Sequence, residues 1–269
     1  MKEARHRIQP FDNMNGYKLL APIYRQIANH RRYFAKQVSL LENIFDLLGI
    51  QSDCKILDAA CGTGDVAASL YRRGYNIFAS DGSEDMLAQW KSDAPPIKRM
   101  NCDWAVIDVV FFDFGTFDLV FMLCNSIAHA SLETVQNKLL KNVFTGLNEQ
   151  GWFVFDVRAW QRDSAGKIYE AGRPIDVERM LQKVNLPDGQ YWLIDKVKID
   201  YGHAYQSVEY VLSKCNEPQH KYPAEIRYSL FDWKDASEWL NDAGFRRDSI
   251  HVFKFPDWDY LIISGSKNL

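Results

Sequence analysis

The chain has no strong charge of either sign: its 269 residues carry 32 Lys and Arg against 35 Asp and Glu, for a net charge of −3. A nucleic-acid partner needs a basic surface, so none is expected. No apolar run reaches bilayer-spanning length. Met1–Pro10 is charged and has no apolar stretch of the kind a secretory leader carries. The expectation is a cytoplasmic protein without a membrane partner. Cysteine is scarce and odd in number: Cys54, Cys61, Cys102, Cys124 and Cys215. Scattered in this way, they read as reduced, small apolar residues and not as a disulfide framework. No Cys/His spacing fits a zinc site, so no metal is expected. Internal repeats, low-complexity tracts and obvious linkers are also missing. What is present is ordinary for a globular protein, 47% hydrophobic and 25% charged residues, at a length suited to one large domain or a core with a subdomain.

The most informative stretch runs from Ile56 to Asp65, Ile-Leu-Asp-Ala-Ala-Cys-Gly-Thr-Gly-Asp. Its apolar approach fits a buried strand, and Val66–Leu70 has helical character, so Gly62 and Gly64 sit at a strand-to-helix turn. Open α/β sheets bind nucleotide-like ligands at such turns. Gly62, Gly64 and Ala67 satisfy G-x-G-x-x-A, so spacing alone leaves a dinucleotide open. The carboxylates Asp58 and Asp65 are poor neighbours for a pyrophosphate. They suit a ligand with a cationic centre and no phosphate, such as S-adenosylmethionine. Asp81 follows a second apolar run, Asn76–Ser80, where an acid can accept bonds from both ribose hydroxyls.

Around this centre the β-α alternation continues. Helical periodicity spans Tyr17–Leu48, with Pro22 starting or breaking a helix. Helices are expected over Glu84–Lys91 and Leu132–Leu147, and strands over Ile97–Asn101, Phe117–Leu123 and Gly151–Asp156. After Trp160 the pattern changes to β-branched and aromatic runs with turn signals between them, which predicts three or more antiparallel strands. A helix over Lys234–Ala243 and strands over Arg247–Lys254 and Tyr260–Ser264 close the chain. The fold class is α/β, a doubly wound, mostly parallel seven-stranded sheet with an inserted antiparallel β lid and an N-terminal helical cover. The expected division is 1–50 for the cover, 51–160 with 231–269 for the core, and 161–230 for the lid.

The stretch Ile56–Asp65 with Asp81 resembles motif I and the ribose acid of the class I S-adenosylmethionine-dependent methyltransferases, over about Cys54 to Arg158. Asn125-Ser126-Ile127-Ala128-His129 is similar to the Gly-Asn-Ser-x-Ala-His segment of the glycine and sarcosine N-methyltransferases, with Cys124 in place of Gly. Asp156-Val157-Arg158-Ala159-Trp160 partly meets their Asp-His-Arg-aromatic pattern, with Val157 in place of His. The Asn/Asp-Pro-Pro-aromatic motif of DNA-type amino methyltransferases is missing.

The resemblance implies S-adenosyl-L-methionine as cofactor, with contacts at Asp58, Ala60, Gly62, Gly64, Asp81, Gly82, Met86, Cys102, Asp103, Trp104 and Leu123. It implies Arg32 at the methionine carboxylate, and Tyr24, Asn125 and Arg158 positioning a small, amino-acid-like amine acceptor. The Cys124 and Val157 departures leave room for an acceptor larger than glycine. Arg158 has a second reading, a structural ion pair to Asp156 or Asp163. His129 reads as a helix-capping or backbone-bonding residue in preference to a base. A small-molecule O-methyltransferase and a non-catalytic S-adenosylmethionine-binding protein are the alternatives. A homo-oligomer is compatible with the sequence.

Overall fold

The structure is a computed structural model that describes residues 13–30, 33–104, 114–164, 168–169, 175–255, 258 and 260–268. The chain enters through α1 (Met14–Leu20), a 3-10 turn over Ala21–Ile23 opened by Pro22, α2 (Tyr24–His30) and α3 (Tyr33–Leu48). Then come β1 (Lys55–Asp58), α4 (Asp65–Arg72), β2 (Asn76–Asp81), α5 (Glu84–Leu87), β3 (Arg99–Asn101) and β4 (Phe117–Met122). A helical stretch follows, α6 (Leu132–Thr134), a π turn over Val135–Leu139 and α7 (Leu140–Gly146), leading to β5 (Leu147–Arg158). A short hairpin, β6 (Gln161–Arg162) with β7 (Ile168–Tyr169), precedes a meander of β8 (Glu178–Leu186), β9 (Gly189–Asp200), β10 (Tyr205–Lys214) and β11 (Lys221–Ser229). The chain returns through α8 (Trp233–Ala243), β12 (His251–Lys254) and β13 (Tyr260–Ser266).

The large sheet has seven strands, as the sequence predicts, and their order is β12-β13-β5-β4-β1-β2-β3. β1 to β5 pair in parallel, while β13 is antiparallel to both β5 and β12. From β1 the chain steps outward to β3, then crosses back to β4 on the other side of β1. That reversal is the topological switch point, where open sheets of this kind bind ligands. Alternation along the central strands sorts the core. Ile56, Leu119, Phe121 and Val154 face α3 and α4, packing with Leu41, Ile44 and Phe45. Leu57, Val120, Met122, Phe153 and Phe155 face α7 and α8, packing with Leu140, Val143 and Leu240. A parallel sheet covered on both faces needs near-continuous apolar strands, and these have them.

The meander forms a separate four-stranded antiparallel sheet, β11-β10-β9-β8. Leu20 and Ile23 pack on its inner face with Val184, Tyr191, Leu193, Leu212 and Ile226. Helix and strand approach closely because Gly16 has no side chain: a Cβ there would stand 2.5 Å from Ile226 Cγ1.

Several expected elements are shorter. The helix over Glu84–Lys91 ends at Leu87 because Trp90 turns back beneath the glycine loop. The strand over Ile97–Asn101 begins only at Arg99, after Pro95-Pro96. The N-terminal helical segment, expected from Tyr17, begins earlier, at Met14.

Candidate active site

The loop after β1 is pinned to both neighbouring strands. Ala59 N donates to Phe121 O at 3.0 Å, and Cys61 N to Ser80 O at 2.9 Å. Gly62 and Gly64 take φ of +53° and +76°, left-handed backbone that favours glycine. A Cβ on Gly64 would also collide with Trp90, 2.1 Å from Cε2. Trp90 seals the loop from behind, its Nε1 donating to Gly62 O at 3.1 Å.

Asp81, ending β2, is the loop's second anchor. Its Oδ2 accepts from Gly62 N at 2.7 Å and its Oδ1 from Ser83 N at 2.8 Å. Burial pushes this carboxyl up to about 6, against the pull of those two backbone donors. Asp58 is buried as well, and burial together with the Asp81 charge holds its carboxyl well above the usual carboxylate range. Beyond β3, Asp103 lies against Gly82, where a Cβ would come within 3.2 Å of the Asp103 Cβ. Trp104 is buried, its Nε1 donating to Ser80 Oγ at 3.0 Å.

These elements enclose a cavity of about 540 Å³. Of the sequence-predicted residues, Tyr24, Ala60, Gly62, Asp81 and Gly82 line it, as do Met86, Cys102, Asp103 and Trp104. Asp58 and Leu123 border an adjoining hollow of about 50 Å³ that shares Tyr24, Ala60 and Gly62 with the cavity. Gly64 faces away, onto a hollow of about 170 Å³ shared with Arg25 and Asp65. Asn125 and Arg158 are not among the described residues lining the cavity. They are neighbours and do not face each other across a cleft: Arg158 N donates to Asn125 Oδ1 at 3.3 Å. Arg32 falls outside the described residues.

Asp65 departs from expectation. Its carboxylate is not offered to a cationic ligand; Arg25 Nε holds it at 2.8 Å and Thr63 Oγ1 at 2.7 Å. Arg25 also donates to Thr63 O at 2.7 Å and to Gln89 O, so α2 is fastened to the glycine loop. Asp156 supports the turn after β4. It accepts from Cys124 N at 2.9 Å, Asn125 N at 2.5 Å and Trp258 Nε1 at 3.1 Å. Cys124 and Asn125 are both left-handed there, φ +63° and +59°. Burial raises Asp156 to about 7, against those three donors.

Sequence reasoning missed part of the wall. Asn13 and Tyr17 line the cavity beside His129. Asn13 Nδ2 lies 3.1 Å from His129 Nδ1, and Tyr17 Oη 2.7 Å from His129 Nε2. Asn13 also pairs with the Arg227 backbone, donating to its O at 2.9 Å and accepting from its N at 2.8 Å. Burial lowers His129 to about 4, so its ring is neutral at pH 7. The same burial holds the Tyr17 and Tyr24 phenols well above their ordinary range. No local pattern marks Asn13, because its partners lie at the far end of the chain.

Comparison with known proteins agrees with this arrangement. The profile of a methyltransferase domain matches residues 56–151. A putative methyltransferase of Bacillus subtilis is 30% identical over 148 residues, 53% of this chain and 56% of that one. A glycine/sarcosine N-methyltransferase of Halorhodospira halochloris is 28% identical over 133 residues, 46% of this chain and 49% of that one. The chain thus spans about half the length of the curated relatives it matches. An S-adenosylmethionine-bound amino pentose methyltransferase from Micromonospora echinaspora superimposes with a TM-score of 0.67 at 11% identity, covering 91% of this chain and 97% of that one.

The fold is that of the class I S-adenosylmethionine-dependent methyltransferases, and residues 56–151 match the methyltransferase domain. More narrowly, glycine/sarcosine N-methyltransferases recur among its curated relatives. S-adenosylmethionine is the cofactor of the class, and the residues present fit it. Gly62 offers bare backbone to the cavity, Asp81 ends a strand with acceptor capacity beyond its two backbone bonds, and Asp103 with the Trp104 indole walls the far side. Among the described residues, no helix is long and apolar enough to cross a membrane and no metal-binding cluster forms.

Proposed function

We propose that this protein transfers a methyl group to the amine of a small, amino-acid-like acceptor. Bound S-adenosylmethionine supplies the electrophilic methyl. The protein has to exclude water, align the acceptor and present an unprotonated nucleophile, and positioning alone provides much of the rate. One observation carries the reading. The ionisable groups of the Tyr17–Tyr24–His129 wall are held neutral. An alcohol needs a strong base to become a nucleophile, and a histidine pushed to about 4 is a weak one. An amine needs only to bind in its neutral form. This favours nitrogen over hydroxyl oxygen as acceptor.

In this reading, Asp81, Gly62, Gly82, Met86, Cys102, Asp103 and Trp104 hold the nucleoside, and Asp58, Ala60 and Leu123 flank the methionine end. Gly64 acts from behind the loop, by admitting Trp90. Tyr24 lines the acceptor end, and Asn125 and Arg158 support its floor. The antiparallel sheet and entering helices serve as cover.

The test is S-adenosylhomocysteine release from purified protein with amines, amino acids, alcohols and phenols. Turnover of amines and amino acids is expected. Turnover confined to hydroxyl acceptors would overturn the amine assignment while leaving the methyltransferase. Arg158 is not among the described residues lining the cavity, so its guanidinium has to turn inward to pair with an acceptor carboxylate; on this reading Arg158→Lys should raise KM at least tenfold for acceptors bearing a carboxylate, because the planar two-pronged pairing is lost. Simple amines should be affected far less, and cofactor affinity should not change.

A further inference from the structure

The apolar face of α3 is broken by a glutamine. Phe34, Val38, Leu41, Ile44 and Phe45 pack toward the large sheet, and helix residues three and four apart share a face. Gln37 stands three residues after Phe34 and four before Leu41, so it lies on that face, and it is 6% exposed. Its Nε2 donates to Cys124 Sγ at 2.7 Å. Cys124 is its one hydrogen-bond partner among the described residues. The carbonyl end, Oε1, has two lone pairs and no donor there. A buried carbonyl left in that state is costly.

Gln37 lines a void. It shares the hollow of about 50 Å³ with Asp58, which ends β1. Tyr24, Ala60, Gly62 and Ser126 line both this hollow and the large cavity. Gly62 is also bonded to Asp81. A ligand whose ribose lies at Asp81 therefore reaches the hollow past the bare backbone of a glycine. A void needs about 10–15 Å³ to hold a water-sized group, so the hollow admits a small group and no ring.

The hollow is also charged in one sense. Among the described residues that line it there is no Lys, Arg or His, and Asp58 is its acid, 3% exposed. Burial and the Asp81 charge hold the Asp58 carboxyl above its ordinary range, a shift that a cation beside it reverses. A carboxylate entering here would meet an acid and no counter-charge. An ammonium would meet acceptors.

We propose that this hollow seats the ammonium of S-adenosylmethionine, with Gln37 Oε1 and the Asp58 carboxylate as its acceptors. Gln37 is then a cofactor-positioning residue carried by the helical cover. It ties α3 to the methionine tail, and through the tail it fixes the sulfur that bears the reactive methyl. The proposal rests on the cofactor of the proposed function and not on the choice of an amine acceptor.

The experiment is calorimetric titration of the full-length protein with four ligands. They are S-adenosylhomocysteine, its analogue without the carboxylate, its analogue without the amine, and methylthioadenosine, which has neither group. Gln37→Met, close to isosteric and without a carbonyl, should weaken the two amine-bearing ligands about tenfold. It should leave the other two within about twofold of wild type. Gln37→Glu keeps an acceptor oxygen and should bind the amine-bearing pair at wild-type strength or better. Equal loss across all four ligands in Gln37→Met would mark Gln37 as structural and overturn the proposal. So would a loss that follows the carboxylate, no loss at all, or a Gln37→Glu protein as weak as Gln37→Met. Gln37→Leu repeats the series if Gln37→Met does not fold, and the same outcomes decide it. Failure of all four ligands to bind the wild type would overturn the cofactor assignment and this proposal together. Selective binding without turnover of any amine would leave the proposal standing and remove the amine acceptor.

Discussion

Asp81 has its partners in place before any ligand arrives, since Gly62 N and Ser83 N already bond its carboxylate. It can accept ribose hydroxyls at full strength only while ionised, and its carboxyl titrates at about 6. Cofactor affinity should therefore fall as pH drops through 6, and calorimetric titration between pH 5 and 8 checks this. Asp81→Ala should weaken binding by roughly 1–3 kcal/mol at pH 8 and flatten the pH profile. The place of Asp81 at the end of β2 was legible in the sequence because a strand end followed by Asp-Gly is a local pattern. Asp65 was misread for the opposite reason. Its charge is met by Arg25, forty positions upstream, and nothing local to the glycine loop announces that partner.

The glycine loop works as an element because Trp90 fills the space a side chain at position 64 would take. Gly64→Ala faces both the left-handed φ of +76° and a Cβ 2.1 Å from the indole. The cost should be roughly 1–3 kcal/mol from each source. Trp90→Ala removes only the collision. The double variant should recover the steric part and not the backbone part, which chemical denaturation of the four proteins in a double-mutant cycle will read as a coupling energy. If the single costs simply add, Trp90 is not what makes Gly64 necessary. The same packing explains why a helix expected over Glu84–Lys91 stops at Leu87: periodicity favoured continuation, and burial of Trp90 beneath the loop won. The π turn over Val135–Leu139, part of which lines the cavity, was likewise invisible, because its residues are compatible with an ordinary helix.

Across the whole molecule, buried ionisable groups set how stability responds to pH. Asp81 and Asp156 are raised to about 6 and about 7. Their folded forms favour the proton, so the stability they contribute is complete below pH 4 and is lost as pH rises through 6 to 7. His129, lowered to about 4, acts in the opposite sense, and its contribution is lost as pH falls from 6.5 toward 4. Two carboxyls outweigh one imidazole. The ligand-free protein should melt at a lower temperature at pH 7.5 than at pH 5.5, and Asp156→Asn should reduce that slope. Cofactor binding, which needs ionised Asp81, should raise the melting temperature more at pH 7.5 than at pH 5.5. Sheet class and the glycine turn at its centre were legible because apolar strands and a strand-to-helix turn are local. The contacts that seal the site were not. Asn13 bonds Arg227 and Gln26 bonds Asn185, while Gly16 lies against Ile226. These pairings have a consequence for how the molecule comes into being. Helices α1 and α2 find their seat only when strands made 159 to 214 residues later have formed, and such distant contacts come slowly. The core can be complete while the cover still has nothing to dock on. Competence to bind an acceptor would then be the last property the chain acquires.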